Sequence, residues 1–315
     1  MSMQGSLNDA LLWVLSPWGL AILGLCVGSF LNVVIRRLPL MLERQWWGDV
    51  AAQLADKASW RRHFGAQTDV PPLQQQTAEQ LQTAMNQWPP LGLARPASHC
   101  VACGHTLRWH ENFPVLGWLR LRGRCAACGA AFSVRYLGVE LLTAMLFVAL
   151  GWRFDAQPIT LMWCGVAAVA LALALIDWDT TLLPDSLNAP LLWGGLIASA
   201  LGWTIPLPDA LWGAVAGYMS LWLVAEGFRV LTGQVGMGGG DLKLLAAIGA
   251  WLGWQLLLPV VLLASVVGAL VGLLMKAMDG LREGRYVPFG PFLVGGAALV
   301  FALDKPALLR WLGWV

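Results

Sequence analysis

The stretch LLPVVLLASVVGALVGLLMKAM, residues 257–278, carries no charged side chain before Lys276. An α-helix rises 1.5 Å per residue, so about 20 apolar residues cross the hydrocarbon layer of a bilayer. The stretch therefore predicts a membrane-spanning helix. The whole chain agrees with this prediction, because 58% of its 315 residues are hydrophobic and only 12% are charged. Soluble domains carry about 25% charged residues.

Further apolar runs of this kind precede and follow that stretch. All the runs together lie at about 10–35, 136–152, 158–176, 187–205, 207–231, 242–255, 257–278 and 288–303. They predict an all-α polytopic membrane protein with about eight transmembrane helices. The 242–255 run is short and its break at Trp254-Gln255 is weak, so seven helices stay open. A net charge of +2 gives no indication of nucleic-acid binding, and the bilayer is the expected surroundings.

Basic residues are concentrated in the polar segment 36–135, which holds 12 of the 20 in the chain. With eight spans, 17 basic residues fall on the side of this segment and 3 on the other. The positive-inside rule then predicts a cytoplasmic segment and an N-terminus outside. The expected domains are a first transmembrane helix (1–36), a cytoplasmic loop domain (37–135) and a helical membrane domain (136–315). Residues 45–90 are expected to form a surface helix or linker.

Four of the six cysteines form the pattern C-x2-C-x21-C-x2-C, namely Cys100, Cys103, Cys125 and Cys128. Two such knuckles supply the four sulfurs of a closed tetrahedral zinc site, whose metal is structural because no ligand position is open. A reducing cytoplasmic loop does not favour disulfides. The alternatives are four unliganded thiols or a redox dithiol. Neighbouring histidines are expected at the surface; they are His99, His105 and His110.

Carboxylates at the ends of the predicted spans are candidate functional groups, since charge is costly at membrane depth. IDWDTTLLPD (176–185) ends the third predicted span, and Asp241 begins the sixth. The predicted topology puts both at the cytoplasmic side, where two aspartates sharing a site would hold one proton between them. The ionised one takes a proton from water while the neutral one donates to a carbonyl oxygen, which is peptide hydrolysis without a metal. Sequence alone does not rank Asp177 above Asp179.

The glycine run before Asp241, in GMGGGDLKLL (236–245), lets backbone approach backbone, including that of an extended substrate. Irregular backbone is tolerated at membrane depth where it lines a wet cavity or is buried in protein. One alternative is a glycine hinge with Asp241 as the N-cap of the following helix. Another is an ion-coupling carboxylate in a transporter.

At these residues the chain resembles the type IV prepilin peptidases, a family of membrane aspartic proteases. The two aspartate segments look like the family's catalytic motifs, and the paired knuckles like its zinc-binding loop. Three other stretches resemble family segments: GLCVGSFLNVVIRRLP (24–39), ENFPVLGWLRLRGRC (111–125) and VPFGPFL (287–293). Each motif alone is weak, but their common order over most of the chain is specific.

The resemblance implies that Asp177 and Asp241 are catalytic. It implies cleavage of leader peptides from type IV prepilins or type II secretion pseudopilins at the cytoplasmic face of the bacterial inner membrane. It also implies methylation of the new N-terminus with S-adenosylmethionine. The residues expected to support the aspartates are Asp179, Asp185, Gly238, Gly240 and Lys243.

For methyl transfer, the resemblance points to Gly123 and Arg124, beside the third cysteine of the pattern. A turn into the zinc knuckle is the alternative role for both residues. Two rival functions also stay open at this point. One is a general intramembrane aspartic protease like signal peptide peptidase, and the other is a non-enzymatic transporter or assembly factor with a structural zinc.

Overall fold

The computed structural model describes residues 12–65, 67–155, 157–278, 287–303 and 310. Throughout these residues the secondary structure is helical apart from two isolated β-bridges. The chain divides into two compact units, one formed by residues up to 31 with those from 139 onwards, the other by residues 32–138. Three basic residues of the predicted charge count lie outside the described residues: Arg282, Arg285 and Lys305.

The helices of the described chain follow one another with short connections. The first five are α1 (Pro17–Ala55), α2 (Lys57–Phe64), α3 (Pro72–Asn86), α4 (Leu116–Arg120) and α5 (Val134–Arg153). The next four are α6 (Ile159–Thr180), α7 (Asp185–Ala200), α8 (Leu207–Thr232) and α9 (Gly239–Leu252). A 3-10 turn (Trp254–Leu256) then leads into α10 (Leu257–Ala277), and α11 covers Gly290–Ala302. Prolines lie directly before α6, α7 and α8. Proline is favourable there because the N–H that it lacks would have no hydrogen-bond partner within the helix.

Five of these helices are long and apolar enough to cross a membrane: α1, α5, α6, α8 and α10 with its preceding 3-10 turn. The remaining apolar helices α7, α9 and α11 have 16, 14 and 13 residues, short of the ~20 that span a bilayer. The predicted all-helical membrane fold is therefore confirmed. Among the described residues the count of candidate spans is five, and the arrangement with eight stays a prediction. An apolar run does not reveal whether its helix faces lipid or protein.

Helix α1 continues far beyond the predicted boundary at residue 36, through Pro39 and as far as Ala55. Together with α2 and α3, its end occupies the segment expected as a surface helix or linker. Within the 32–138 unit, the buried side chain of Arg37 donates to the carbonyls of Gly92 (2.9 Å) and Pro96 (2.7 Å). These bonds hold the loop that leads to the first cysteine pair against the helix.

Helix α9 is the most enclosed element of the larger unit, with every residue from Leu244 to Leu252 buried. Its Trp251 donates from Nε1 to the Leu191 carbonyl of α7 at 2.8 Å. The same ring lies 5.1 Å from that of Trp163 in α6. These contacts explain how a short helix is stable here, because its neighbours rather than lipid cover its apolar surface.

Helices α8 and α9 approach backbone to backbone where Gly213 faces Gly249. A Cβ at Gly213 would overlap the Gly249 carbonyl, and one at Gly249 would overlap the Gly213 carbonyl. One turn further on, Gly217 meets the Leu245 carbonyl in the same way. Small residues spaced four apart allow this close packing of helices in membranes. The crossing sets the position of α9 and hence of its first turn.

Replacing Gly213 by Ala should destabilise the protein by about 3 kcal/mol, the upper end of the usual cost of overpacking, because the obstructing atoms are backbone. The matched control is Gly227→Ala on the same helix, where a Cβ meets nothing within 4 Å. Thermal unfolding in detergent, followed by tryptophan fluorescence, measures both variants. Equal stability of the two would contradict the tight crossing.

Candidate active site

The four predicted metal ligands come together within the 32–138 unit. The ligand atoms of Cys100, Cys103, Cys125 and Cys128 all lie within 4.8 Å of one another. Each knuckle turns through a bond from the glycine after it, so that Gly104 donates to the Cys100 carbonyl at 2.9 Å. The tertiary structure thus assembles the cluster from two separate segments.

The geometry of this cluster fits a tetrahedral ion. The Sγ atoms of Cys100 and Cys128 are 3.8 Å apart, as are those of Cys103 and Cys125. Four Zn–S bonds of about 2.3 Å at tetrahedral angles place the sulfurs at about this separation. A disulfide needs about 2.05 Å, and all four cysteines are free thiols. The cluster can therefore bind a metal ion.

Electrostatics in the knuckles favours thiolates at the buried positions. Backbone N–H groups, with that of Cys103 first, lower the pKa of the Cys100 thiol to about 7. The N–H of Cys128 has the corresponding effect on the pKa of Cys125. Four thiolates so close repel one another, and a cation between them removes that repulsion. This is the charge arrangement of a structural metal site.

The histidines near the knuckles lie outside the ligand cluster, as predicted, but only His99 is exposed, whereas His105 and His110 are half-buried. His105 Nε2 lies 3.2 Å from the Glu111 carboxylate, which also accepts from the Arg108 amide at 2.8 Å. The ligand cluster among the described residues contains cysteines alone. The histidine thus stabilises the turn between the knuckles.

Gly123 and Arg124, the residues predicted for methyl transfer, lie at the entry to the second knuckle. Gly123 has a φ of +68°, and a Cβ there would come 2.7 Å from the Trp118 ring. Its N–H donates to the Trp118 carbonyl, and its own carbonyl accepts from Phe132. Glycine is needed at this turn for backbone reasons alone. Any part in methyl transfer stays a prediction for both residues.

Asp177 is a buried carboxylate near the end of α6, only 4% exposed. Its Oδ2 accepts a hydrogen bond of 2.9 Å from the backbone amide of Gly290, the first residue of α11. The helix end beyond it is closed by Thr181 in the left-handed conformation, whose N–H donates to the Asp177 carbonyl. The helix therefore ends immediately after presenting this side chain.

Asp241 lies in the first turn of α9 and is half-buried. The helix is capped by Gly238 in extended conformation, without a side-chain cap bond. The alternative of Asp241 as an N-cap is therefore wrong. The Leu183 side chain lies 2.7 Å from where a Cβ of the preceding Gly240 would be, and 3.4 Å from where a Cβ of Gly290, the hydrogen-bond partner of Asp177, would be. The structure thus places the two aspartate segments, distant in sequence, on either side of Leu183.

The three glycines before Asp241 have different surroundings. A Cβ at Gly240 would come 2.7 Å from the Leu183 side chain, so close packing excludes a larger residue there. A Cβ at Gly239 would meet nothing within 4 Å, and at Gly238 the nearest atom is an Asp241 oxygen at 3.9 Å. Open space therefore borders the run on the side of Gly239.

The remaining predicted supporting residues lie at the starts of α7 and α9 and at the end of α6. Lys243 Nζ contacts both oxygens of Asp185 at 2.7 Å. The side chains are 46% and 66% exposed, and such pairs contribute little stability. Asp179 is exposed at the end of α6, two residues from the buried Asp177. Burial thus distinguishes Asp177 from Asp179, which the sequence alone could not rank.

Two residues of this site have no role in the sequence-based prediction. Gly290 donates to Asp177, and Leu183 packs between Gly240 and Gly290, 3.4 Å from where a Cβ of Gly290 would lie. The signal for Gly290 was present in the sequence, since it stands in the VPFGPFL segment. A backbone donor cannot be recognised from side-chain chemistry, so its role was missed.

Comparison with known proteins covers most of the chain. Residues 22–154 match the bacterial peptidase A24 N-terminal domain, and residues 164–273 match the type IV leader peptidase family. Proteins named prepilin leader peptidase/N-methyltransferase are close relatives in several bacteria. That of Pseudomonas putida is 45% identical over 272 residues, 86% of this chain and 85% of the relative. That of Aeromonas hydrophila is 44% identical over 289 residues, 91% of this chain and 90% of the relative. No solved structure matches the chain.

Proposed function

This chain belongs to the type IV prepilin leader peptidase/N-methyltransferase family, and we propose that Asp177 and Asp241 carry its peptidase reaction. The observation behind this proposal is that Leu183 lies against both aspartate segments: it borders Gly240, next to Asp241 in the first turn of α9, and Gly290, whose N–H donates to the buried Asp177 of α6. The substrates are prepilins or type II secretion pseudopilins, whose leader peptide is removed.

The proposed reaction is hydrolysis through one shared proton. The ionised aspartate takes a proton from water as the water oxygen bonds to the scissile carbonyl carbon, and the neutral one protonates the carbonyl oxygen. Collapse of the resulting gem-diol breaks the C–N bond, and a carboxyl proton moves to the leaving amine. The pair acts as a unit, so neither aspartate alone is assigned as base.

The substrate lies, in this proposal, along the open side of the glycine run at Gly239. The absence of neighbours within 4 Å of a Cβ there supports this placement, because an extended peptide needs free backbone surface beside Asp241. Lys243 and Asp185 form an exposed ion pair between the neighbouring starts of α9 and α7. As the resemblance implies, four further residues are proposed to support the two aspartates: Asp179, Asp185, Gly238 and Gly240.

The second proposed activity is methylation of the amine that cleavage exposes. S-adenosylmethionine supplies an electrophilic methyl group, which the uncharged amine attacks as the thioether leaves and a proton is lost. The relatives' name includes this activity, and the whole segment with four cysteines is present in this chain. Gly123 and Arg124 are proposed to serve it through the shape of the second knuckle.

The ion of the four-cysteine cluster is proposed to be a structural Zn²⁺. It would be held by Cys100, Cys103, Cys125 and Cys128, whose Sγ separations suit tetrahedral thiolate coordination. All four ligand positions are then protein sulfurs, so the ion takes no part in either reaction. Its contribution is to hold the two knuckles together.

The proposed orientation places the 37–135 domain and both aspartates at the cytoplasmic face of the bacterial inner membrane, with 1–36 and 136–315 as the membrane parts. The excess of basic residues in 36–135 supports this orientation. Eight crossings require α7, α9 and α11 to count as membrane helices despite their lengths. The burial of α9 by its neighbours supports this, since lipid need not match its length.

The test is mass spectrometry of a purified prepilin-type substrate incubated with the detergent-solubilised protein, with and without S-adenosylmethionine. We expect loss of the leader in both samples and one added methyl mass only where the donor is present. Cleavage of unrelated helical substrates at equal rates would favour a general intramembrane protease. An unchanged mass with folded protein and several prepilins would favour a transporter or assembly factor.

A further inference from the structure

The start of α11 touches the proposed peptidase site through a single backbone group. Gly290 is the first residue of this helix, and its N–H donates to Asp177 Oδ2 at 2.9 Å. Phe289, the residue before it, makes no side-chain cap bond to the helix. A carboxylate from α6 therefore takes the place that a capping side chain would normally have.

Few other backbone N–H groups in the first turn of α11 are available to donate to Asp177. Pro291, the second helical residue, has no N–H. The amides of Phe292 and Leu293 both donate to the Phe289 carbonyl at 3.1 Å. The N–H of Gly290 is thus the donor that α11 directs at Asp177. A hydrogen bond from a helix N-terminus to a carboxylate is charge-assisted and favourable.

The packing around position 290 also requires a residue without a side chain. A Cβ there would lie 2.6 Å from Asp177 Oδ2 and 3.2 Å from its carboxyl carbon. The carboxylate thus fills the space that any other residue would use. A second contact beside it, between the rings of Trp178 and Phe292 at 6.4 Å, joins the same two helix ends.

We propose that Gly290 is a positioning residue of the peptidase: its N–H holds one oxygen of Asp177, and its missing side chain leaves room for the carboxylate. No other hydrogen bond to the Asp177 carboxyl group is found among the described residues, so Oδ1 is the oxygen left for water and the substrate. This inference rests on the proposed catalytic role of Asp177. It means that the carboxylate is positioned by α11, a helix that contributes no side chain to the chemistry.

The test is the steady-state kinetics of Gly290→Ala on a purified prepilin. We expect kcat to fall about 100-fold, the usual cost of misplacing a catalytic group by about 1 Å. KM should change by less than about 3-fold, because the substrate surface is untouched. Methylation of an already cleaved pilin should continue at the parent rate, which shows that the variant is folded.

Two glycines of the same helix serve as matched controls. Gly295→Ala adds a methyl group where nothing lies within 4 Å, and its kcat should equal that of the parent. Gly296→Ala places a Cβ 2.8 Å from the Val260 carbonyl, which strains packing without touching Asp177. It should lower the unfolding temperature and leave kcat within about 3-fold of the parent. An equal fall of kcat in Gly296→Ala would overturn the proposal.

The alternative origin of a defect is the contact of a Cβ at position 290 with Leu183. Leu183→Val removes the Cδ2 atom concerned, so the double variant Leu183→Val/Gly290→Ala separates the two causes. The proposal expects the double variant to stay as slow as Gly290→Ala, and recovery of kcat would overturn it. Asp177→Asn is measured alongside. If that variant still cleaves, the proposed function fails; if it is inactive while Gly290→Ala keeps full kcat, only the positioning role fails.

Discussion

Asp177→Asn and Asp241→Asn should each lower kcat for leader cleavage on the order of 10⁴-fold, the upper range for loss of acid–base catalysis. Asparagine keeps the shape of the side chain and removes the proton that the pair has to share. Because the two carboxyl groups act as a unit, the double variant should be no slower than either single variant. Cleavage is measured by mass spectrometry of a purified prepilin under single-turnover conditions.

A matched control for this loss is Glu226→Gln, a half-buried carboxylate on α8 that pairs with Arg229 at 2.7 Å. It should cleave at the parent rate. Methylation of a pre-cleaved pilin should also survive in both aspartate variants, since it needs no peptide hydrolysis. Retained cleavage in Asp177→Asn together with its loss in Asp179→Asn would move the catalytic role two residues along α6.

Removal of the metal should have the second large effect, and should separate the two activities. The purified protein is expected to contain one zinc ion per chain by elemental analysis. Cys125→Ser should lower zinc affinity by more than the about 100-fold typical of outer-shell changes, because it removes a ligand itself. Methylation should be lost with the zinc. Leader cleavage should persist, because Asp177 and Asp241 lie in the other compact unit.

The control for this experiment is Cys26→Ser, a cysteine of α1 outside the cluster, which should keep its zinc and both activities. Limited proteolysis provides the structural measurement: after chelation, new cleavage sites should appear between residues 98 and 131. A protein purified without zinc that still methylates would contradict the proposed structural role.

Much of the site could be read from residue types and spacing. The paired CxxC knuckles identify their own ligands, because four thiols at such spacing serve few purposes besides metal binding. The aspartates are candidate functional residues because placing a carboxylate within or near the membrane costs free energy. Local patterns of this kind suffice for cysteine and aspartate, whose function depends on their own side-chain chemistry.

The choice of Asp177 over Asp179 rests on the resemblance, and the structure adds a physical difference between the two residues. Both lie at the end of one helix and share their chemistry, and only the packing of α6 against α11 buries the first and exposes the second. Likewise, Gly240 and Gly239 look alike in the sequence. The Leu183 side chain excludes a Cβ at the former, while the latter faces open space.

The sequence by itself determined that this chain is an all-helical membrane protein, which residues could bind a metal ion, and which family it resembles. Hydrophobic length and side-chain chemistry are local properties, so they can be read along the chain. Only the tertiary structure decided that the short helix α9 is enclosed by its neighbours, and that Gly290 holds Asp177. Both depend on which backbone atoms from distant parts of the chain approach each other, and backbone groups are the same at every position in a sequence.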